Sequence, residues 1–108
     1  MKNDNASKED KYLKTKESII SNLYDRKETE KEYLKTVGSL LDCWIKELRS
    51  ADTKNKKRHN QILELIHTER STLKKIREDI DRIDTMIDKT EQDLERIRQM
   101  INSFRNER

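Results

Sequence analysis

Few residues of this chain could do metal or nucleophilic chemistry. There are two histidines, His59 and His67, and a single cysteine, Cys43. The two histidines are eight residues apart, which on a helix amounts to about two turns and is too far for both to bind one metal ion. The lone thiol supplies no ligand set with the usual spacing. The sequence therefore predicts no metal site and no bound cofactor.

Acidic residues four apart offer a second kind of chemistry. Asp84 with Asp88, and Glu91 with Glu95, have the spacing of paired carboxylates on one helix face. On a highly charged helix this spacing is more typical of a solvated face. Gly38 is the single glycine, so a glycine-rich phosphate loop is impossible. Catalysis needs groups that converge in a dry pocket, and we predict that the chain is not an enzyme.

The composition indicates what must position these residues. The chain has 108 residues, of which 44% are charged and 31% hydrophobic, with no proline. So few apolar residues cannot build a thick core, and a chain of this length is one domain at most. Because 25 basic and 22 acidic residues nearly cancel, to +3, and the apolar residues recur regularly, we expect long amphipathic helices rather than disorder.

Compartment and membrane contact follow from weaker signals. A single cysteine forms no intrachain disulfide and suits a reducing compartment, so we expect a cytoplasmic or nuclear protein. No stretch approaches the roughly 20 apolar residues that span a bilayer, and the first ten residues lack the apolar core of a signal peptide. We expect a soluble protein without membrane insertion.

The clearest pattern is a heptad repeat in the last fifty residues. The repeat starts with His59 at a and Ile62 at d and has fourteen a and d positions. Eleven of these fourteen are Ile, Leu or Phe. A 3.5-residue repeat of this length is typical of helices that wind on helices. We therefore predict a second helix over residues 58–106, with Glu69, Thr90 and His59 as the polar members of its seam.

A first helix is predicted over residues 8–50, after a frayed segment 1–7 whose Ser7 acts as the N-cap. Its apolar face is broadest near its end, where Trp44 either fills a bundle interior or anchors a partner. Three polar residues interrupt the face, at Lys16, Lys27 and Glu30. The apolar positions with three-four spacing are Leu13, Ile20, Leu23, Leu34, Val37, Leu41, Trp44 and Leu48.

Between the two helices the apolar pattern lapses and its phase changes. We interpret residues 51–57 as a basic turn, with Asp52 or Thr53 capping the second helix, which gives an all-α helical hairpin. Folding about position 55 places Val37 and Leu34 near Leu73 and Ile76. Because the segment has neither Gly nor Pro, one continuous coiled-coil helix is the alternative.

Isoleucine at both a and d disfavours a parallel two-stranded coil and favours three or four helices. Two helices alone leave half of each apolar stripe wet, so we expect a second hairpin or another helical chain to complete a bundle. The leading hypothesis is a non-enzymatic coiled-coil assembly or scaffold subunit. Its interaction seam is predicted to comprise Leu41, Trp44, Ile45, Leu48, Ile62, Ile66, Leu73, Ile76, Ile80, Ile83, Ile87, Leu94, Ile97 and Ile101.

Two other functions remain open. In one, a small helical adaptor uses the basic turn to bind nucleic acid or an acidic partner through Lys54, Lys56, Lys57 and Arg58. In the other, a secretion or phage-type adaptor masks a helical client. The length and the segment Trp44-Ile45-Lys46 resemble small helical-hairpin proteins of bacterial type VII secretion, although their Trp-x-Gly lies at the bend and here lysine stands in place of glycine.

Overall fold

The structure, a computed structural model, describes residues 4–50 and 55–106, with side chains from residue 8 onward. Helix α1 spans Asp4–Ser50 and helix α2 spans Lys56–Asn106, and the described residues contain no strand. The predicted all-α helical hairpin is confirmed. The alternative of one continuous helix is wrong, since α1 and α2 pack against each other as separate helices.

Both helices begin earlier than the sequence pattern predicts. Helix α1 already includes Ser7, which therefore lies inside the helix rather than at its N-cap. Helix α2 includes Lys56 and Lys57, which the pattern assigned to the turn. The difference arises because polar and charged residues can form helical turns before the first apolar core position, without breaking the helical hydrogen bonds.

Asn55 is the N-cap of α2. Its Oδ1 accepts a hydrogen bond from the backbone N–H of Arg58 (3.1 Å), and its carbonyl oxygen accepts one from the N–H of His59 (3.0 Å). The first bond satisfies an amide that has no partner within the helix, and the second is the first backbone bond of α2 itself. The predicted caps, Asp52 and Thr53, lie outside the described residues.

The chain divides into two compact units, each containing part of both helices. Unit 1 comprises Met1–Lys27 and Arg82–Arg108, and its interior is a buried cluster of Leu23, Ile83 and Ile87. Two ion pairs join its helices: Lys16 Nζ to Asp93 Oδ2 at 3.7 Å, and Lys27 Nζ to Asp84 Oδ1 at 2.7 Å. The earlier lysine pairs with the later aspartate, so the helices run antiparallel in this unit.

Unit 2 comprises Glu28–Asp81. Its interior is formed by Val37, Leu73 and Ile76, with the half-buried Leu34, Leu41 and Ile80 packed against them. The predicted pairing of Val37 and Leu34 with Leu73 and Ile76 is confirmed. Each buried aliphatic side chain stabilises the unit by about 1.5–3 kcal/mol.

Candidate interaction surfaces

The cysteine and the two histidines lie at or near the surface of the described residues. Cys43 and His67 are exposed and His59 is half-buried. Of the paired acids, Asp84 is engaged by Lys27. Within the described residues, no group of three or more His, Cys, Asp or Glu side chains is placed to hold a metal ion. In the same part of the chain, neither helix has an apolar stretch long enough to cross a membrane.

The predicted interaction seam, which includes residues of both helices, is largely covered within one chain. Seven of the predicted seam residues are buried: Ile62, Ile66, Leu73, Ile76, Ile83, Ile87 and Leu94. The other seven are half-buried: Leu41, Trp44, Ile45, Leu48, Ile80, Ile97 and Ile101. Most of the apolar seam area that could bind another helix is therefore already removed from water by the hairpin itself.

The polar seam positions lie at the edge of this covered surface. Glu69, Thr90 and His59 are all half-buried, and no polar or charged side chain in the described residues is fully buried. The Thr90 hydroxyl donates to the Met86 carbonyl oxygen on its own helix (2.8 Å). These groups keep water or a local partner, so the seam tolerates them without the cost of a buried unpaired charge.

Trp44 lies near the C-terminal end of α1, in unit 2. The residue is half-buried, yet its indole Nε1 is buried and has no hydrogen-bond partner in the described part of the chain. A buried donor without an acceptor costs about 1–3 kcal/mol. The indole Nε1 therefore contributes no hydrogen bond to the packing of the described residues.

Open grooves lie between the helices of unit 1. One, of about 350 Å³, is lined by Tyr12, Ile97, Met100 and Ile101 together with Lys8 and Glu9. Another, of about 520 Å³, has Ile20 and Leu94 in its lining, with Glu17, Ser21, Glu91, Glu95 and Arg98 around them. Both are shallow and open. Such grooves can accept apolar side chains of another helix but do not enclose a small substrate.

The predicted basic site is only partly available. Lys56 and Lys57 are exposed in the first turn of α2, which contains no acidic residue. Arg58, in contrast, forms an ion pair with Glu47 of α1, so its charge is partly neutralised within unit 2. Lys54 lies outside the described residues. Two lysines at the positive end of a helix dipole leave a local excess of positive charge.

One surface has no counterpart among the predicted sites. We call it the α1 stripe, a row of exposed, uncharged residues in unit 2 spaced three or four apart: Thr29, Tyr33, Thr36, Leu40 and Cys43. Tyr12, Thr15, Ile19 and Asn22 follow the same rule in unit 1. The signal in the sequence is the absence of charge at heptad spacing. A search for apolar residues overlooks it because threonine alternates with the apolar members.

Comparison with known protein families, with curated proteins and with solved structures finds no match to this chain. A role for it must therefore come from its helices and from the surfaces that they leave open.

Proposed function

We propose that this chain is a non-enzymatic assembly subunit that binds other helical chains. The α1 stripe carries the proposal, because Tyr33 and Leu40 stay 53% and 42% exposed after the interior of unit 2 is filled. Residues three and four apart form a continuous ridge on a helix, which is the surface that packs into the groove of another helix.

In this proposal the partner binds the exposed α1 stripe and not the predicted interaction seam. The seam residues with the strongest heptad pattern, such as Ile62 and Ile83, are only 0% and 2% exposed. A side chain already buried gains little from a new partner, since the hydrophobic effect is proportional to the area newly removed from water. The seam supports assembly indirectly, because it closes the hairpin that presents α1.

The described surfaces favour binding over catalysis. The side chains with nucleophilic or acid–base chemistry, Cys43 and His67, are exposed to solvent on different helices. The grooves of unit 1 are open, and their charged residues are in contact with water. A reaction centre instead needs a nucleophile, base or metal held in a site that excludes water.

Photocrosslinking in cells that produce the protein tests this role. A photoreactive amino acid replaces Leu40 on the α1 stripe, or Leu63 on α2 as a control with nearly the same exposure, 42% against 43%. We expect the probe at position 40 to form adducts with helical segments, identified by mass spectrometry, of this chain or of another protein. Adducts at neither position, or equal and unspecific labelling at both, would contradict the assembly role.

A second candidate function rests on the first turn of α2. Lys56 and Lys57 are exposed there, the first turn itself contains no acidic residue, and the helix dipole adds to their positive potential. Such a site suits phosphates or an acidic protein segment. Binding of a labelled DNA duplex, measured by anisotropy over a salt series, tests it.

The decisive comparison is between two lysine pairs. Lys56→Glu/Lys57→Glu should abolish duplex binding if the first turn is the site, whereas Lys74→Glu/Lys75→Glu, on exposed residues of the same helix, should preserve it. The two variants change the net charge equally. Equal weakening by both would mean that only overall charge matters, and the first turn would then not be a site.

A further inference from the structure

The α1 stripe can lose its water at low cost. None of its five members is charged, although 44% of the chain is. The Thr36 hydroxyl already donates to the Glu32 carbonyl oxygen on the same helix (3.1 Å). Covering this residue therefore leaves its hydroxyl donor with a hydrogen-bond partner. Cys43 behaves as a small apolar residue when covered. A docked helix would therefore gain apolar contact from Tyr33 and Leu40 with little opposing desolvation.

The charges that border the α1 stripe indicate which helix fits there. On the side away from the buried Val37, the bordering positions every seven residues are Glu32, Ser39 and Lys46, and all three are exposed. An acid thus lies at one end, a base at the other, and a neutral residue in the middle. Among the described residues, neither Glu32 nor Lys46 has an ion-pair partner.

This arrangement of charge is self-complementary in one orientation. When two such helices pack antiparallel about a two-fold axis near Ser39, Glu32 of each lies beside Lys46 of the other, and both pairs attract. A parallel pair in register would instead bring two copies of Glu32 to one level and two copies of Lys46 to another. The antiparallel pair is therefore favoured by electrostatics as well as by the stripe.

We propose, on the basis of the assembly role above, that a second copy of this chain docks antiparallel on the α1 stripe. Leu40 packs against Thr36 of the second copy, and Tyr33 packs against Cys43 of the second copy. Each contact occurs twice because the interface is isologous. Two hairpins joined in this way give an assembly of four helices.

A disulfide reports this register directly. In Tyr33→Cys, the new thiol should pair with the native Cys43 of the second copy under mild oxidation and give a covalent dimer. Positions 33 and 43 of one helix are about 15 Å apart, beyond the roughly 7 Å between Cα atoms that a disulfide allows, so the bond cannot close within one chain. Tryptic mapping should recover a peptide that joins position 33 to Cys43.

Two controls accompany the disulfide. Leu63→Cys places a thiol at an exposed leucine of α2, off the stripe, and should give no linkage to Cys43. Tyr33→Cys combined with Cys43→Ser should lose the covalent dimer. Circular dichroism of each variant confirms that the helices are intact, and a dimer linked only through Cys43 of both copies would place the two helices in a different register.

Charge reversal provides an independent measurement. Glu32→Lys should weaken dimerisation by about tenfold, because it sets two lysine pairs against each other, and the double variant Glu32→Lys/Lys46→Glu should restore it. Glu78→Lys, at an exposed residue of α2, is the matched control and should leave the affinity unchanged. Sedimentation equilibrium of the full chain gives the dissociation constants.

The outcomes separate this inference from the broader role. A wild-type mass of 13.1 kDa, that of one chain, at every concentration up to about the millimolar range that marks weak association would overturn the dimer. A dimer that shows neither the 33–43 linkage nor the charge effect would also overturn it. In either case, crosslinks from position 40 to a different helical protein would leave the assembly role standing.

Discussion

Unit 1 and unit 2 are each built from one segment of α1 and one of α2, but α1 contributes differently to the two. In unit 1 it brings Lys16 and Lys27 to the interface, where they pair with Asp93 and Asp84 of α2. In unit 2 the middle of this face is aliphatic, with Val37 buried and Leu34 and Leu41 packed beside it. The ion pair to α2 comes there from Glu47, near the end of α1. One helix thus combines polar and apolar ways of holding the same neighbour.

The comparison shows that a contact between α1 and α2 can be formed partly by lysine side chains and need not be aliphatic throughout. The two lysines of unit 1 are 22% and 23% exposed, so their stems cover apolar surface while their ammonium groups reach the carboxylates. Ion pairs of this exposure contribute up to about 1 kcal/mol, less than a buried aliphatic side chain. They do favour the antiparallel pairing, since any shift of register separates them.

The largest expected effects come from cavities in the two interiors. Ile83→Ala in unit 1 and Ile76→Ala in unit 2 remove side chains that are 2% and 5% exposed. Each should lower the free energy of unfolding by about 2–5 kcal/mol, as measured by urea denaturation. Hydrogen exchange should show the greater loss of protection in the unit that carries the substitution, and equal loss in both would contradict the independent interiors described here.

Loss of the α2 cap should have the next largest effect. Asn55→Ala removes the oxygen that accepts from the Arg58 N–H and should lower the free energy of unfolding by about 1 kcal/mol. The control Asn60→Ala, at an exposed position within α2, removes no cap and should leave stability unchanged or slightly raised. Similar losses in both variants would argue against Asn55 as the cap. Thermal denaturation followed by circular dichroism is sufficient.

Gly38→Ala should stabilise unit 2. A Cβ built at this position meets nothing within 4 Å, so alanine fits without strain. The gain should be about 0.5–1 kcal/mol, because alanine loses less backbone entropy than glycine in a helix. Ser71→Ala, at an exposed position of α2, should gain less by the same urea measurement. Destabilisation by Gly38→Ala would reveal a close neighbour that the single chain does not contain.

The smallest effect should be the coupling across unit 1. A double-mutant cycle with Lys27→Ala and Asp84→Ala should give a coupling energy of about 0.2–1 kcal/mol, reduced at high salt. A parallel cycle with Lys31→Ala and Glu28→Ala, an exposed pair on one helix, should give less, because it joins no two helices. Coupling that is zero in low salt would show that the lysine stems alone matter at this interface.

Some features of the fold could be predicted because they depend on spacing along the chain. Val37 meets Leu73 and Ile76 because a hairpin with equal arms fixes which positions face each other once the turn is located. The cap could not be chosen in this way. Asp52, Thr53 and Asn55 are all capping residues, and only the path of the backbone selects Asn55.

The sites were less predictable than the fold, for a different reason. Lys16 and Lys27 looked like interruptions of an apolar face, and their pairing with α2 depends on acids 77 and 57 residues away in sequence. The seam residues of α2 were predicted to contact another helix, and seven of them are buried within this chain. The sequence does not say, however, whether their contact is another molecule or the chain's own first helix.

The amino-acid sequence by itself determined that this chain forms long amphipathic helices, because helical periodicity and the lack of proline are local properties. The tertiary structure decided that the chain turns and forms two helices, and the position of that turn sets which residues of the two arms face each other. Only the tertiary structure decided which apolar residues stay exposed. One neighbouring helix can cover only one face of α1, and the position of that neighbour leaves Tyr33 and Leu40 in water while Val37 is buried.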